Sequence, residues 1–128
     1  MSAAIPHILV IDDNEAILDS VAMVLRWNAL RVSTKNRMDD FKSDVSIISP
    51  DCILLDKGLG WADGCNLCSD LKADVETQHI PVIMFSALAQ TKQTCLNAGA
   101  NAFLEKPFDI DVLLRLVFSF TPRPVLPG

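Results

Sequence analysis

The sequence predicts an α/β domain in which a doubly wound, five-stranded parallel sheet is covered by five helices. Two observations support this fold class. Short apolar runs recur along the chain, and the segments between them carry apolar residues at the spacing of one helix face. Runs without polar alternation are typical of strands buried on both faces, and a repeated strand–helix order favours parallel pairing through right-handed crossovers.

The strands are expected where the apolar runs occur. These runs span Ile8–Ile11, Leu30–Val32, Cys52–Leu55, Val82–Phe85 and Ala102–Leu104. Because the runs show no polar alternation, both faces of the sheet should be covered.

The first three helices are expected in the segments that separate these strands. The clearest pattern places four apolar residues on one face between Ile17 and Leu25. A weaker pattern joins Phe41, Val45 and Ile48, and a third helix is marked by Leu67 and Leu71. Each of these helices would return the chain to the start of the next strand.

The last two helices carry recognisable end signals. The fourth should run from about Ala89 to Ala98 and stop at Gly99, which suits the position after a helix C-cap. The fifth should be capped by Asp109, because Asp is favoured at helix N-caps. It should end near Thr121, since the proline that follows disfavours helical geometry in that residue.

Composition and charge indicate one globular domain. The chain has 128 residues, 50% of them hydrophobic, and a net charge of −5 without a Lys/Arg cluster. These values argue against direct binding of nucleic acid. We expect the domain to cover residues 1–121 and the Pro-rich segment 122–128 to be a tail or linker stub.

The sequence also argues against a membrane or secreted location. No apolar run approaches the roughly 20 residues that span a bilayer. The first residues lack the basic segment and long apolar stretch of a secretory signal. A cytoplasmic protein is therefore predicted.

Three carboxylates occur where predicted strands end. Asp12 and Asp13 follow the first strand, and Asp56 follows the third. In a doubly wound sheet of order 2-1-3-4-5, these two strands are neighbours at the topological switch point, about 4.8 Å apart. The carboxylates should therefore converge, and they would repel one another unless a cation lies between them. Because Mg²⁺ prefers carboxylate and carbonyl oxygens, a magnesium site is predicted at this edge.

A hydroxyl and an amine are expected at the same edge. Ser86 closes the fourth strand and Lys106 follows the fifth. Lys106 and the cation would neutralise a phosphoryl group arriving at Asp56, and phosphoryl transfer needs little beyond positioning and charge stabilisation. Since carboxylates can act as nucleophiles that form an aspartyl-phosphate, Asp56 is predicted to be the acceptor.

These residues and their surroundings resemble the receiver domain of two-component response regulators. The resemblance rests on Asp12-Asp13 after ILVI, Asp56 after CILL, Ser86-Ala87 after IMF and Lys106-Pro107-Phe108 after AFLE. It covers about residues 7–120, and the order and spacing of the parts make it specific. It implies a flavodoxin-like receiver fold of strand order 2-1-3-4-5.

The resemblance also implies a role for each site residue. Asp56 would be the phosphoacceptor and a ligand of Mg²⁺. Asp13 would bind the metal directly, Asp12 mainly through water, and Gly58 through its backbone carbonyl. Lys106 would bond Asp56 before transfer and the phosphoryl oxygens afterwards.

The resemblance further implies a conformational switch that responds to phosphorylation. Ser86 would move to bond the phosphoryl group, and Phe103 would be the aromatic that swings inward in response. The Lys106-Pro107 peptide would be cis. The output surface would comprise the fourth helix, the fifth strand and the fifth helix, through which a homodimer could also form.

The implied function is a phosphorylation-activated signalling switch that is not an enzyme in the usual sense. A sensor histidine kinase or phosphotransfer protein would supply the phosphoryl group. The output would be a downstream protein or a covalently linked domain, so the chain could be one part of a multidomain regulator or hybrid kinase.

One departure from the family pattern leaves an alternative open. Gly60 stands where the family usually has proline, within the loop after Asp56. Two glycines, Gly58 and Gly60, should make this loop more mobile than usual. A protein-docking module that works without phosphorylation is therefore the alternative reading of the sequence.

The cysteines and the first loop offer two other interpretations. Cys65 and Cys68 form a C-x-x-C pair, but zinc would need two further ligands and no second pair occurs. The short segment between Cys68 and Pro81 also leaves no room for the helix and strand of a thioredoxin-type site, so two thiols on the third helix are favoured. A cofactor binder of the same sheet order would need a phosphate-cradling loop after the first strand, where this chain places acidic residues.

Overall fold

The structure is a computed structural model that describes residues 5–121. Its main feature is a parallel sheet of five strands. They are β1 (His7–Ile11), β2 (Arg31–Lys35), β3 (Cys52–Asp56), β4 (Val82–Ser86) and β5 (Ala102–Glu105). Their spatial order is β2-β1-β3-β4-β5, with every neighbouring pair parallel.

Helices follow the strands and cover both faces of the sheet. They are α1 (Glu15–Trp27), α2 (Phe41–Ile48), α3 (Gly64–Ala73), α4 (Lys92–Asn97) and α5 (Ile110–Phe120). Apolar residues of α1 and α5 pack on one side of the sheet, and those of α2, α3 and α4 pack on the other. The predicted fold class, strand order and helix number are thereby confirmed.

The burial of the strands follows their place in the sheet. Every residue of β3 and β4 is buried, whereas β2 at one edge is half-buried or exposed throughout. This difference explains why the central strands are continuously apolar, whereas β2 has the mixed sequence RVSTK. β2 runs to Lys35, three residues past the predicted end, because pairing with β1 extends to the register Ile11–Lys35.

The ends of the helices agree with the capping signals in most places. The Asp109 side chain accepts a hydrogen bond from the Asp111 amide and caps α5, which ends at Phe120. Gly99 has a φ of +107° after α4, a conformation that glycine adopts readily. The predicted fourth helix differs in its first turn, where Ala89–Thr91 forms a 3₁₀ turn before α4. The predicted tail, 122–128, lies outside the described residues.

A short hairpin follows β3 and was not predicted. Gly58–Leu59 pairs with Ala62–Asp63 in antiparallel fashion. The chain then turns into α3 through Gly64, where a Cβ would collide with the Asp56 carbonyl oxygen and lie 2.8 Å from the Cα of Lys57. The hairpin holds the loop after Asp56 close to the end of β3.

Across the described range, none of the helices is both long and apolar enough to cross a bilayer.

Candidate functional site

Three carboxylates converge at the carboxyl edge of the sheet. Asp12 and Asp13 follow β1, and Asp56 ends β3 next to it. Each of the three residues offers one carboxylate oxygen, and these oxygens all lie within 4.8 Å of one another. Among residues 5–121, these three carboxylates form the group that could bind a metal ion. The cluster arises because parallel neighbouring strands end at the same edge, as the sequence predicted.

Lys106 joins two of these carboxylates. Its Nζ lies 2.8 Å from Oδ2 of Asp12 and 3.5 Å from Oδ1 of Asp56. The ammonium also lies 4.6 Å from the centre of the Phe85 ring, at a distance that permits a cation–π contact. The peptide between Lys106 and Pro107 is cis. A single cation from the loop after β5 is therefore shared by acids from two other strands.

Asp12 is the more completely enclosed of the buried acids. Its side chain has no exposed surface, and Oδ1 accepts a hydrogen bond from the Asn14 amide at 2.8 Å. Oδ2 is bound by Lys106. Asn14 in turn caps α1, so the turn that fixes Asp12 also begins the helix.

Asp56 is buried with less compensation for its charge. Burial raises the pKa of Asp56, and the nearby Asp12 carboxylate raises it further. Lys106 and the Gly58 amide, which donates to Oδ1 at 3.3 Å, act in the opposite direction. The raised pKa indicates that a further positive charge at this edge would stabilise the ionised carboxylate.

Asp13 lies on the outer side of the cluster. It is exposed, and Oδ2 accepts a hydrogen bond from the Gly60 amide at 3.2 Å. A proline at position 60 would have no N–H to donate. Gly60 therefore provides a contact between the hairpin and the acidic cluster that the usual family residue could not make.

The other two predicted residues lie on β4 and β5. Ser86 is buried at the end of β4, where its Oγ accepts a hydrogen bond from the Leu88 amide at 3.0 Å. Its carbonyl accepts from the Lys106 amide at 2.8 Å, which ties the loop carrying the lysine to β4. Phe103 is half-buried on β5, in register with Met84.

One contact near the site was not predicted from the sequence. The Trp61 side chain donates from Nε1 to the carbonyl of Asn36 at 2.8 Å and packs against the core. This bond fastens the hairpin to the loop after β2. A tryptophan between two glycines gave no indication of its partner, because that partner lies 25 residues away in the chain.

The site suits a hard divalent cation. Its possible ligands are all oxygens, as Mg²⁺ and Ca²⁺ require, and they come with a net surplus of negative charge. Asp12, Asp13 and Asp56 would hold such an ion. The thiols offer no competing centre among the described residues, since all four cysteines are buried and free and no cluster of three thiol or imidazole ligands occurs there.

Comparisons with known proteins agree with this arrangement. The chain is similar to the DNA-binding dual master transcriptional regulator RpaA of Synechocystis sp., with 36% identity over 122 residues, which is 92% of this chain and 50% of RpaA. It is also similar to the transcriptional regulatory protein KdpE of Staphylococcus aureus, with 36% identity over 109 residues, 83% of this chain and 46% of KdpE. The chain thus spans about half the length of these curated relatives.

A solved structure provides a further comparison. The receiver domain of the sensor histidine kinase PA1611 from Pseudomonas aeruginosa aligns with a TM-score of 0.81 and 27% identity, over 91% of this chain and 98% of that domain. That structure has a magnesium ion coordinated in its active site cleft. Residues 8–118 match the family described as the response regulator receiver domain. The chain therefore belongs to the receiver domain family of two-component response regulators, which are regulatory switches in phosphorylation-based signalling.

Proposed function

We propose that Asp56 accepts a phosphoryl group from a histidine kinase or a phosphotransfer protein, in a reaction that depends on Mg²⁺. The observation that supports this proposal best is the position of Lys106, whose ammonium contacts both Asp12 and Asp56 in a cluster that still has excess negative charge. In this proposal Asp12, Asp13, Asp56 and the carbonyl of Gly58 hold the metal.

The reaction requires an in-line displacement at phosphorus. A carboxylate oxygen of Asp56 forms a bond to phosphorus as the bond to the donor nitrogen breaks, and the electron pair leaves with that nitrogen. Lys106 changes partner from the Asp56 carboxylate to a phosphoryl oxygen, because the negative charge moves outward. Bound Mg²⁺ would supply charge neutralisation for the phosphoryl oxygens.

Ser86 and Phe103 would carry the change away from the site. The Ser86 hydroxyl accepts from the Leu88 amide in this structure, and in the proposal it turns to donate to a phosphoryl oxygen. The half-buried Phe103 ring would then move inward on β5. The face formed by α4, β5 and α5 would rearrange as a result. The charge added at Asp56 would thus shift this face from one conformation to another.

The output and the partners follow from this role. RpaA is described as DNA-binding and KdpE as a transcriptional regulatory protein, and both are about twice as long as this chain. We propose that residues 1–121 form the receiver unit and that residues 122–128 lead towards a linked output domain or remain a tail. A separate downstream protein, a homodimer through the α4-β5-α5 face, and a cytoplasmic location are parts of the same proposal.

Intact mass measurement tests the acceptor role. The chain is incubated with a small phosphodonor and Mg²⁺, and we expect the mass to rise by one phosphoryl group. The gain should disappear in Asp56→Asn and in the presence of a chelator, whereas Asp51→Asn, at the opposite end of β3, should keep it. A folded protein that gains no phosphoryl group would contradict the proposal and favour a docking module that works without phosphorylation.

A further inference from the structure

Two of the buried thiols lie in contact, and they are not the two that share the C-x-x-C motif. The Cys65 Sγ lies 3.8 Å from the Cys95 Sγ and donates a hydrogen bond to it, although 30 residues separate them in the chain. Cys65 belongs to the first turn of α3, and Cys95 belongs to α4. The contact thus joins two helices on the same face of the sheet.

Cys95 is the residue that places α4 in the core. The helix has six residues, and Cys95 is the buried one. A 3₁₀ turn of largely exposed residues precedes the helix, and Gly99 follows it. A short helix held by a single buried side chain should open locally more easily than the long helices α1 and α5.

We propose that Cys65 and Cys95 are a modification site, at which a hydroperoxide drives formation of a reversible disulfide between α3 and α4. Cys65 would react first, because 8% of its surface is exposed, whereas Cys95 is fully enclosed. Burial raises the pKa of Cys95 to about 12, so Cys95 remains a protonated thiol until its partner is oxidised.

The chemistry proceeds in two balanced steps. The Cys65 sulfur attacks one oxygen of the hydroperoxide, the O–O bond breaks, and the products are a sulfenic acid on Cys65 and an alcohol or water. The Cys95 sulfur then attacks the sulfenic sulfur and displaces hydroxide, which leaves as water with the Cys95 proton. Two thiols lose two electrons in total, and the peroxide bond gains them.

The geometry requires only a modest movement. A disulfide has a sulfur–sulfur distance of about 2.05 Å, so the sulfurs must approach by roughly 1.8 Å from their present contact. Side-chain rotation together with a small shift of the short helix α4 would provide that approach. Neither of the other two thiols forms a hydrogen bond with another sulfur in the described part of the chain: Cys52 contacts the backbone carbonyl of Ile53, and the Cys65–Cys95 contact does not include Cys68.

The bond would fix α4 against α3. If α4 moves when Asp56 is phosphorylated, the disulfide would restrain that movement, and this consequence rests on the proposed function. The formation of the disulfide does not depend on it. An Asp56→Asn variant should form the bond as readily as the unaltered chain, so failure of either proposal can be distinguished from failure of the other.

Thiol mapping under native conditions provides the test. The folded chain is treated with hydrogen peroxide or with an organic hydroperoxide. It is then unfolded in denaturant that contains an excess of alkylating agent, because the remaining thiols are buried, and peptides are identified by mass spectrometry. We expect the loss of two hydrogen atoms from the intact mass, a Cys65–Cys95 linked peptide, and alkylation of Cys52 and Cys68. A thiol reductant should restore all four free thiols.

Variants make the assignment specific. Cys68→Ser should still form the link, whereas Cys65→Ala and Cys95→Ala should abolish it. Far-UV circular dichroism checks that each variant is folded. If a variant unfolds, the disulfide map of the unaltered chain still decides which two cysteines are linked. A Cys65–Cys68 link, a link only between molecules, or four alkylated thiols after excess hydroperoxide would each overturn the proposal.

Discussion

The two ends of the central strands carry similar polar residues in very different surroundings. At the amino end, the His7 amide donates to Asp51 at 2.8 Å, and the His7 ring lies 2.7 Å from the Ser33 hydroxyl. Asp51 is exposed to solvent. At the carboxyl end, Asp12 and Asp56 are buried beside one another and share one ammonium group.

The difference shows what makes a site out of ordinary residues. At the amino end each polar group has its own partner and contact with water, so no group requires an additional ligand. At the carboxyl end, Lys106 must compensate two buried carboxylates, and Asp13 adds a third negative charge nearby. Burial and convergence, more than residue type, therefore make this end of the sheet favourable for a bound cation.

Removal of the shared ammonium should have the largest effect on stability. Lys106→Met keeps an unbranched apolar stem beside Phe85 but leaves Asp12 fully buried without its ion partner. Loss of one partner of a buried pair costs about 3 to 5 kcal/mol. Urea unfolding at pH 7 in a chelator should show a decrease of this size in the free energy of unfolding.

The matched control is the other lysine near the site. Lys57 lies 3.5 Å from Asp63 on the more exposed hairpin, and exposed pairs contribute about 0 to 1 kcal/mol. Lys57→Met should therefore change the unfolding free energy by no more than about 1 kcal/mol. Equal losses in the two lysine variants would contradict the distinction between buried and exposed charge.

Leu88 provides a test of how the carboxyl end excludes water. Its side chain is 54% exposed and follows Ser86 by two residues, and under the proposed function it borders the route by which water reaches the phosphoryl group. Under the proposed function, Leu88→Asn supplies an amide that can orient water, and the phosphoryl group should be lost about tenfold faster, equivalent to about 1.4 kcal/mol. The decay of the phosphorylated mass measures this lifetime.

Leu88→Ala is the control for this substitution. It removes the apolar bulk but adds no hydrogen-bonding group, so its lifetime should lie closer to that of the unaltered chain. If Leu88→Asn leaves the lifetime unchanged, Leu88 has no part in excluding water.

The raised pKa of Asp56 predicts a pH-dependent gain in stability on removal of its charge. Because the folded pKa lies above the unfolded value of about 3.9, the ionised carboxylate destabilises the folded state at neutral pH. Asp56→Asn should therefore be more stable at pH 7 in a chelator, by on the order of 1 kcal/mol. The gain should shrink as the pH falls through the folded pKa, and it should vanish below the unfolded one.

Denaturant unfolding between neutral pH and pH 3.5 would follow this change. Addition of Mg²⁺ at neutral pH should reduce or reverse the gain, because the unaltered chain would bind the ion more tightly than the variant. A gain that stays constant with pH would show that charge repulsion at Asp56 is not its cause.

Much of this carboxyl-edge site could be predicted because its residues end strands. Asp12, Asp56 and Ser86 lie next to apolar runs, and parallel topology brings the ends of such runs to one edge. Their convergence thus followed from the strand order, which the resemblance and the pattern of alternating elements supplied together.

Contacts that join helices or loops could not be predicted in the same way. The bond from Trp61 to Asn36 and the thiol contact between Cys65 and Cys95 depend on how each helix or loop is rotated and placed. Local periodicity indicates which face of a helix is apolar but not which residue of another element will meet it. The sequence instead drew attention to Cys65 and Cys68, which share a helix.

His7 gives the smallest expected effect and tests the amino end of the comparison. Burial lowers the pKa of His7, and Arg31 lowers it further while Asp51 acts in the opposite direction. Since the unfolded pKa is about 6.5, the unfolded state takes up the proton first as the pH falls, and stability is lost between that pH and the lower folded pKa. His7→Gln should remove this dependence of stability on pH while changing the free energy of unfolding at pH 7.5 by no more than about 0.5 kcal/mol.

Urea unfolding at pH 7.5 and 5.5 measures both the pH dependence and the change in the free energy of unfolding. The phosphorylation of His7→Gln should be unchanged, because neither His7 nor its partners belong to the carboxyl-edge cluster. A large loss of phosphorylation in a folded His7→Gln protein would show that the two ends of the sheet are coupled and would remove the distinction drawn between them.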